Sequence, residues 1–269
     1  MIISLSGYAG SGKDTVGKII QYHTWMHKHN IKLEELNKHQ SVKVWVMANH
    51  IEGWGRIDFD TASSWTLSDW QIRKWATALR KVAAILLGMD EQFLYTDEFK
   101  KMELPVKWFA WGLKVVSGKF EGKYLSTYKP FDTREDAEKY RLSVFEPDKF
   151  EVVHRPMTGR EFLQRLGTDA VRNGLHVNTW VNALMSQYKA VGFMIFPNWV
   201  ITDTRFLNEL TAVKDAGGVT IRVNRGQPAN QHPSETALDN VQFDYTIDNN
   251  GTIEELSEQV ASILKSLNI

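Results

Sequence analysis

The sequence predicts an α/β fold of three layers, with a central parallel sheet flanked by helices. Three observations lead there. A β-branched run, Ile2-Ile3-Ser4-Leu5-Ser6, breaks into a glycine-rich turn and then into a helical pattern. Strand-like and helix-like segments alternate again through the last third of the chain, the order that parallel strands with crossover helices require. The 269 residues, 43% hydrophobic and 24% charged, suit one sizeable core carrying insertions.

Taken in order, residues 13–29 read as a helix with Val16, Ile19, Ile20 and Tyr22 on its apolar side. From about 30 to 70 the pattern weakens, and the stretch is predicted to be an insertion with a strand over Val42–Met47. Ser68 and Asp69 open a predicted capped helix reaching Leu87, with Trp75, Leu79, Val82, Ala83 and Leu86 on one face. Its end, Val82–Gly88, is the longest apolar run and reads as a core helix. A polar and aromatic region follows, broken by Pro105, Pro130 and Pro147, and is expected to form a lid or substrate-side excursion over about 97–157. Thr158-Gly159-Arg160-Glu161 is a capping box opening a helix through Phe162, Leu163 and Leu166. A helix is expected over Trp180–Tyr188, and Trp199–Asp203 is a hydrophobic strand ending in an acid. A helix over Asn208–Ala216, a Gly217-Gly218 stop, a strand over Val219–Val223 and a periodic helix over Thr252–Leu267 complete the chain. The whole, 1–269, is expected to be a single domain with its two insertions.

Composition excludes several classes. Lys plus Arg equals Asp plus Glu at 32 each, so the broad basic surface of a nucleic-acid binder is not expected. With no cysteine, disulfides and thiolate metal sites are excluded, and a reducing cytoplasm is the expected home. The eight histidines show no metal-ligand spacing. Met1–Leu5 has no basic leader, and no apolar run approaches the ~20 residues of a membrane span. Six of the ten tryptophans fall between Trp25 and Trp75; packing explains them most simply, with base stacking the sharper alternative.

The most informative segment is Gly7-Tyr8-Ala9-Gly10-Ser11-Gly12-Lys13-Asp14-Thr15. A strand, a glycine turn and a helix start in that order make an anion site, because backbone N–H groups converge on phosphate oxygens. Gly10 and Gly12 admit close approach, Ser11 lies between them, and Lys13 is positioned to follow a transferring phosphoryl group. The fold is therefore expected to be of the P-loop kind. Asp14 stands where the strict motif has Ser or Thr, and is the candidate to hold Mg²⁺, directly or through water; Thr15 is free to serve an α-phosphate. Asp203 ends a strand where open sheets bind ligands, with Arg205 two residues on; a helix N-cap is the alternative for Asp203.

Gly10–Thr15, Leu163-Gln164-Arg165-Leu166-Gly167-Thr168-Asp169 and Asp203-Thr204-Arg205 together resemble the deoxynucleoside monophosphate kinases of large tailed bacteriophages. The likeness continues through Ala216-Gly217-Gly218, Arg225-Gly226, His232-Pro233-Ser234-Glu235 and the stretch Asp248–Leu256. It covers the first 20 residues, about 74–103 and 158–265, and the family also uses Asp after the loop lysine. The resemblance implies transfer of the ATP γ-phosphoryl to a deoxynucleoside monophosphate, with Mg²⁺, by a cytoplasmic homodimer. It implies that Arg80, Gln164, Thr168, Asp169, Arg172 and Trp180 help bind the monophosphate, that Asp203 and Arg205, at the strand end between substrate and phosphates, act in catalysis with Lys13, that Asn208 and Glu209 add to the substrate site, and that Arg225 lies beside ATP. Simpler readings stand next to these: Thr168-Asp169 as a helix turn, Trp180 as core, Asn208-Glu209 as an exposed first turn. The segment from about 22 to 73 has no clear counterpart in the short phage enzymes. Rival functions are a P-loop kinase of another small molecule (a dephospho-coenzyme A, for example), a nucleotide-dependent ATPase or switch, and an inactive nucleotide-binding protein.

Overall fold

A computed structural model describes residues 1–28, 69–118, 120–122, 131–144, 146–190, 196–226 and 236–269. Most of the tryptophan-rich insertion, including Trp45, Trp54, Trp65 and the strand expected over Val42–Met47, lies outside the described residues, as does His232-Pro233-Ser234-Glu235. The chain divides into two compact units, Met1–Thr77 with Trp180–Ile269, and Ala78–Thr179.

The first unit is built on a five-stranded sheet in the order β2-β5-β1-β6-β7. Its strands are β1 (Ile2–Ser6), β2 (Trp70–Arg73), β5 (Asn198–Thr204), β6 (Val219–Asn224) and β7 (Tyr245–Asp248), all paired in parallel. Residues alternate across each strand, so one sheet serves two cores. Ile3, Leu5, Val200, Ile221, Val223 and Ile247 face one way, toward α1 (Lys13–Lys28) and the C-terminal helix α8 (Ile253–Ser266). Ile2, Trp199 and Ile201 face the other way, toward α6 (Thr179–Met185) and α7 (Leu207–Asp215). This is the expected three-layer α/β arrangement with a central parallel sheet. The stop after α7 is real: Gly217 takes φ +69°, and Gly218 N donates to Val213 O at 2.9 Å. Thr252 and Glu255 cap α8 reciprocally.

Two expectations are corrected here. Residues 70–73 form an edge strand and not the start of a helix, which begins only at α2 (Thr77–Leu87). The four-residue run is too short to reveal its period, and a neighbouring strand supplies the hydrogen bonds that decide its conformation. The apolar face of α2 also differs: Ala83, Ala84 and Leu87 are buried, while Val82, Ile85 and Leu86 are exposed. The run is thus a core helix on one side only. Trp25, Trp70 and Trp75 are buried, so packing accounts for the described members of the tryptophan cluster. The strand β7 was not foreseen.

The second unit carries most of the region that the sequence left unordered. An antiparallel pair, β3 (Ala110–Val115) and β4 (Phe150–Arg155), stands beside α4 (Arg134–Ser143). Its core gathers Ala83, Leu87, Leu94, Phe99, Leu104, Met157 and Phe162 from α2, α3 (Asp97–Lys101), α5 (Gly159–Gln164) and their connections. Gly159 is required at the start of α5, since a Cβ there would lie 2.2 Å from Phe99 O. The capping box is present as expected: Glu161 N donates to Thr158 Oγ1 at 3.2 Å, and Thr158 N to Glu161 Oε2 at 2.9 Å. Arg155 clamps the same carboxylate with bonds of 2.5 and 3.0 Å. Beyond Gln164 the helix widens into a π-helical stretch, Arg165–Asn173. No helix among the described residues is long and apolar enough to cross a membrane.

Burial pushes the Glu161 carboxyl up, but bonds from Arg155 and Thr158 outweigh it and hold the group below its usual 4.5. Its stabilisation is therefore complete above 4.5 and is lost as pH falls through the depressed value. Glu161→Gln is expected to cost about 2 kcal/mol near neutral pH. In chemical denaturation at a series of pH values, the gap between wild type and variant should shrink below 4.5. A gap that is constant with pH would deny the clamp this role.

Candidate active site

The pairing of β1 with β5 brings two C-terminal strand ends together, through Ser4↔Ile201 and Ser6↔Thr204. β1 runs into the glycine loop, and β5 ends in Thr202-Asp203-Thr204, so the loop and the acidic strand end are neighbours. Ligands of open α/β sheets bind at such an edge. Gly10 and Gly12 adopt φ of +78° and +93°, which side-chain-bearing residues seldom take. A Cβ on Gly7 would meet Val223 O at 2.3 Å, and one on Gly12 would meet Asn249 Nδ2 at 2.2 Å. The loop is therefore pressed against β6 and against the turn after β7. Asn249 Nδ2 donates to the backbone oxygen of the fully buried Ser11 at 2.8 Å.

Lys13, 8% exposed, donates from Nζ to Gly7 O at 2.8 Å and Tyr8 O at 2.6 Å. Its ammonium thus lies within the curve of the loop. Asp14 Oδ1 accepts the Thr202 hydroxyl at 2.6 Å and stands 2.8 Å from Lys74 Nζ. Desolvation pushes the Asp14 carboxyl up, but the Lys74 charge, bonds from Lys74 and Thr202, and the Lys13 charge together hold it below the carboxylate range. Burial pushes the Lys18 ammonium down, with the Asp14 charge opposing and the Lys74 charge adding to the shift. Three ammonium groups therefore share one carboxylate, an excess of positive charge suited to a polyanion. Thr15 sits half-buried in the first turn of α1.

Asp203 is used structurally as well. Its two oxygens accept Trp75 N at 2.8 Å and Ala76 N at 3.1 Å, which holds the turn between β2 and α2. Arg205 opens the connection to α7, and its backbone N–H donates to Glu209 Oε2 at 2.8 Å. Phe206 N donates to the same oxygen at 3.1 Å. Glu209 is buried, so the exposed first turn considered for this residue does not form there; half-buried Asn208 precedes it. Arg225 stands exposed just beyond β6, and Trp180 is buried on α6.

The remaining sequence-predicted residues belong to the second unit. Arg80 on α2 lays its guanidinium 4.3 Å from the Tyr95 ring centre. Its buried Nε and Nη1 have no hydrogen-bond partner among the described residues. Gln164 ends α5, and Thr168, Asp169 and Arg172 lie on the π-helical stretch, a distortion that often accompanies function. A Cβ on Gly167 would sit 2.8 Å from Leu79 Cδ2, so this glycine lets the stretch pack closely on α2 beside Arg80. Arg172 is buried, and its Nη1 donates to Val177 O at 3.4 Å.

A sequence profile described as deoxynucleotide monophosphate kinase matches residues 106–260, more than half of the chain. The chain belongs to the deoxynucleotide monophosphate kinase family. A protein of Acanthamoeba polyphaga mimivirus, provisionally named a deoxynucleotide monophosphate kinase, is 36% identical over 39% of this chain and 60% of its own length. The deoxynucleotide monophosphate kinase of Escherichia phage RB69 is 26% identical over 70% of this chain and 69% of its own. That of Enterobacteria phage T4 is 32% identical over 40% of this chain and 46% of its own. The chain thus spans between about half and two thirds of the length of these relatives. The profile match begins after the phosphate loop, so the loop is identified by its own geometry.

Sequence reasoning missed Lys74, Thr202 and Asn249. Asn249 lies in the Asp248–Leu256 stretch that carried the resemblance, and Thr202 precedes Asp203 in a buried strand, so both had a signal. Lys74 had none, because 59 residues, most of them in the insertion, separate it from Asp14.

Asn249→Ala is expected to lower stability by about 1–2 kcal/mol, since it leaves Ser11 O buried and unpaired. Calorimetric titration should also show weaker ATP binding, because the loop loses its brace. Unchanged stability and ATP affinity would remove Asn249 from the site.

Proposed function

We propose that this chain transfers the γ-phosphoryl group of ATP to the 5′-phosphate of a deoxynucleoside monophosphate, giving the diphosphate and ADP. The observation that carries the reading is the glycine loop with Lys13 in its curve and Asp14 beside the β5 end, in a chain of this family. Loop N–H groups and the start of α1 bind the donor phosphates, and Lys13 balances charge on the transferring group. Ser11 and Thr15 complete the loop, and Arg225 supports the ATP side.

The residues present fit a magnesium ion brought in with ATP. Mg²⁺ is commonly held by one or two carboxylates plus phosphates and water, and Asp14 offers a carboxylate 62% exposed at the loop rim. When bound, the ion neutralises charge on the β- and γ-oxygens. Asp14 is its protein partner, directly or through water.

Arg80, Gln164, Thr168, Asp169, Arg172 and Trp180 bind the acceptor, Asn208 and Glu209 contribute to its recognition, and Asp203 and Arg205 serve both the acceptor and the transfer. Arg80 is well suited, since its buried Nε and Nη1, without a partner among the described residues, gain two bonds from a phosphate. Asp203 and Glu209 act chiefly by holding backbone, Asp203 at Trp75 and Ala76 and Glu209 at Arg205. The region about 97–157 supplies a lid or a substrate-side excursion, and the enzyme acts as a cytoplasmic homodimer.

ADP release with ATP, Mg²⁺ and each of dAMP, dCMP, dGMP and dTMP tests the reading. Turnover with some of the four is expected, and silence with all of them from protein that still binds ATP would move the assignment to another acceptor. Lys13→Ala should lower turnover by about a hundredfold or more with the fold intact; near-normal rates would undo the loop assignment. Arg205→Ala is expected to damage turnover or monophosphate binding far more than ATP binding. Equal loss of ATP affinity would transfer Arg205 to the donor side.

A further inference from the structure

Lys74 is a charged side chain to which the mechanism above gives no part. It follows β2 directly, and the register Arg73↔Ile201 sets it beside the Thr202–Thr204 end of β5. The two residues after it donate their N–H groups to Asp203, so its backbone is held on a short, anchored turn. From there Nζ reaches Asp14 Oδ1 at 2.8 Å, the oxygen that also accepts Thr202 Oγ1 at 2.6 Å. Gly17 lets α1 pack closely on Thr202, since a Cβ there would lie 2.8 Å from Thr202 Cγ2. Asp14 is thus held on one side by a hydroxyl on a buried strand and on the other by the ammonium of a long side chain.

We infer that Lys74 is an internal counter-ion which a divalent cation displaces, so that ammonium and metal are alternative partners of the Asp14 carboxylate. The inference rests on the reading of Asp14 as the residue that meets the metal. A magnesium ion about 2.1 Å from either oxygen of this carboxylate, with the ammonium contact kept, would set two cations roughly 3–5 Å apart. Such an arrangement is repulsive, and one partner leaves. The lysine is the one that yields: the pair is partly solvent-exposed, at 27% for Lys74 and 62% for Asp14, and such pairs are weak. Its four-carbon stem lets the ammonium swing away while the backbone stays pinned. Released, it remains at the sheet edge, where phosphate oxygens gain a second lysine besides Lys13. Lys74 therefore sets how readily the loop accepts metal.

The test needs no catalysis. Mn²⁺ binding to the full chain without nucleotide is followed by electron paramagnetic resonance for wild type, Lys74→Gln, Lys74→Arg and Asp14→Asn, with circular dichroism to check each fold. Lys74→Gln is expected to bind Mn²⁺ about threefold tighter or more, as loss of an exposed ion pair allows. Lys74→Arg should stay close to wild type, and Asp14→Asn should abolish the gain when combined with Lys74→Gln. Equal or weaker Mn²⁺ binding by a folded Lys74→Gln protein overturns the inference, as does a gain that survives Asp14→Asn. An inactive acceptor panel combined with the expected Mn²⁺ pattern would refute the proposed reaction and leave this inference standing.

Discussion

The parallel pairing of β1 with β5 is the constraint on which the first unit depends. It lays Ser6, the last residue before the glycine loop, against Thr204, and so joins the two strand ends that carry the candidate chemistry. In a parallel pair both strands end at the same edge, which gathers backbone N–H groups, the start of α1 and the Thr202–Thr204 segment in one place. The same alternation that points Thr202 toward Asp14 sends Ile201 into the opposite core. A slip of one residue would exchange those faces and bury the wrong side chain in each core.

The loop's shape is maintained by contacts as well as by glycine's freedom. Gly7 is pressed on Val223 O and Gly12 on the amide of Asn249, which in turn holds Ser11 O. Lys13 closes the loop from inside through Gly7 O and Tyr8 O. The backbone of a cradle assembled in this way is already in place when an anion enters, which is where electrostatic catalysis draws its advantage. Glu209, buried under the Arg205–Phe206 turn, applies the same logic to the start of α7.

The second unit solves a different problem. Between α5 and Asn173 the backbone gives up regular α-helix for a π-helical stretch, and the Gln164–Arg172 motif lies across that change. Gly167 allows the distorted stretch to lie close on α2, next to Arg80, whose guanidinium is desolvated against Tyr95. Nε and Nη1 of the half-buried Arg80 have no partner among the described residues, and such buried nitrogens are costly unless an anion completes their bonds.

Much of this was legible beforehand for stated physical reasons. Local chemistry announced the strand–loop–helix start, the capping box of Thr158/Glu161, and the Gly217 stop, because each rests on residues within a few positions of one another. The loop lysine and the acid following it were equally plain. The edge strand at 70–73 was misread as helix, because four residues do not display a period and the hydrogen bonds that decide the matter come from β5. The exposed half of α2 was misassigned for the same reason, since which neighbours cover a helix is a tertiary fact. Lys74 illustrates the limit best: no local pattern links it to Asp14, and only the β2–β5 register carries its ammonium to that carboxylate. The sequence by itself determined the anion-binding loop and the alternation of strands and helices, because these are written in short-range stereochemistry and periodicity. Only the tertiary structure decided which distant charges meet there, because an ion pair depends on where the sheet delivers its strand ends.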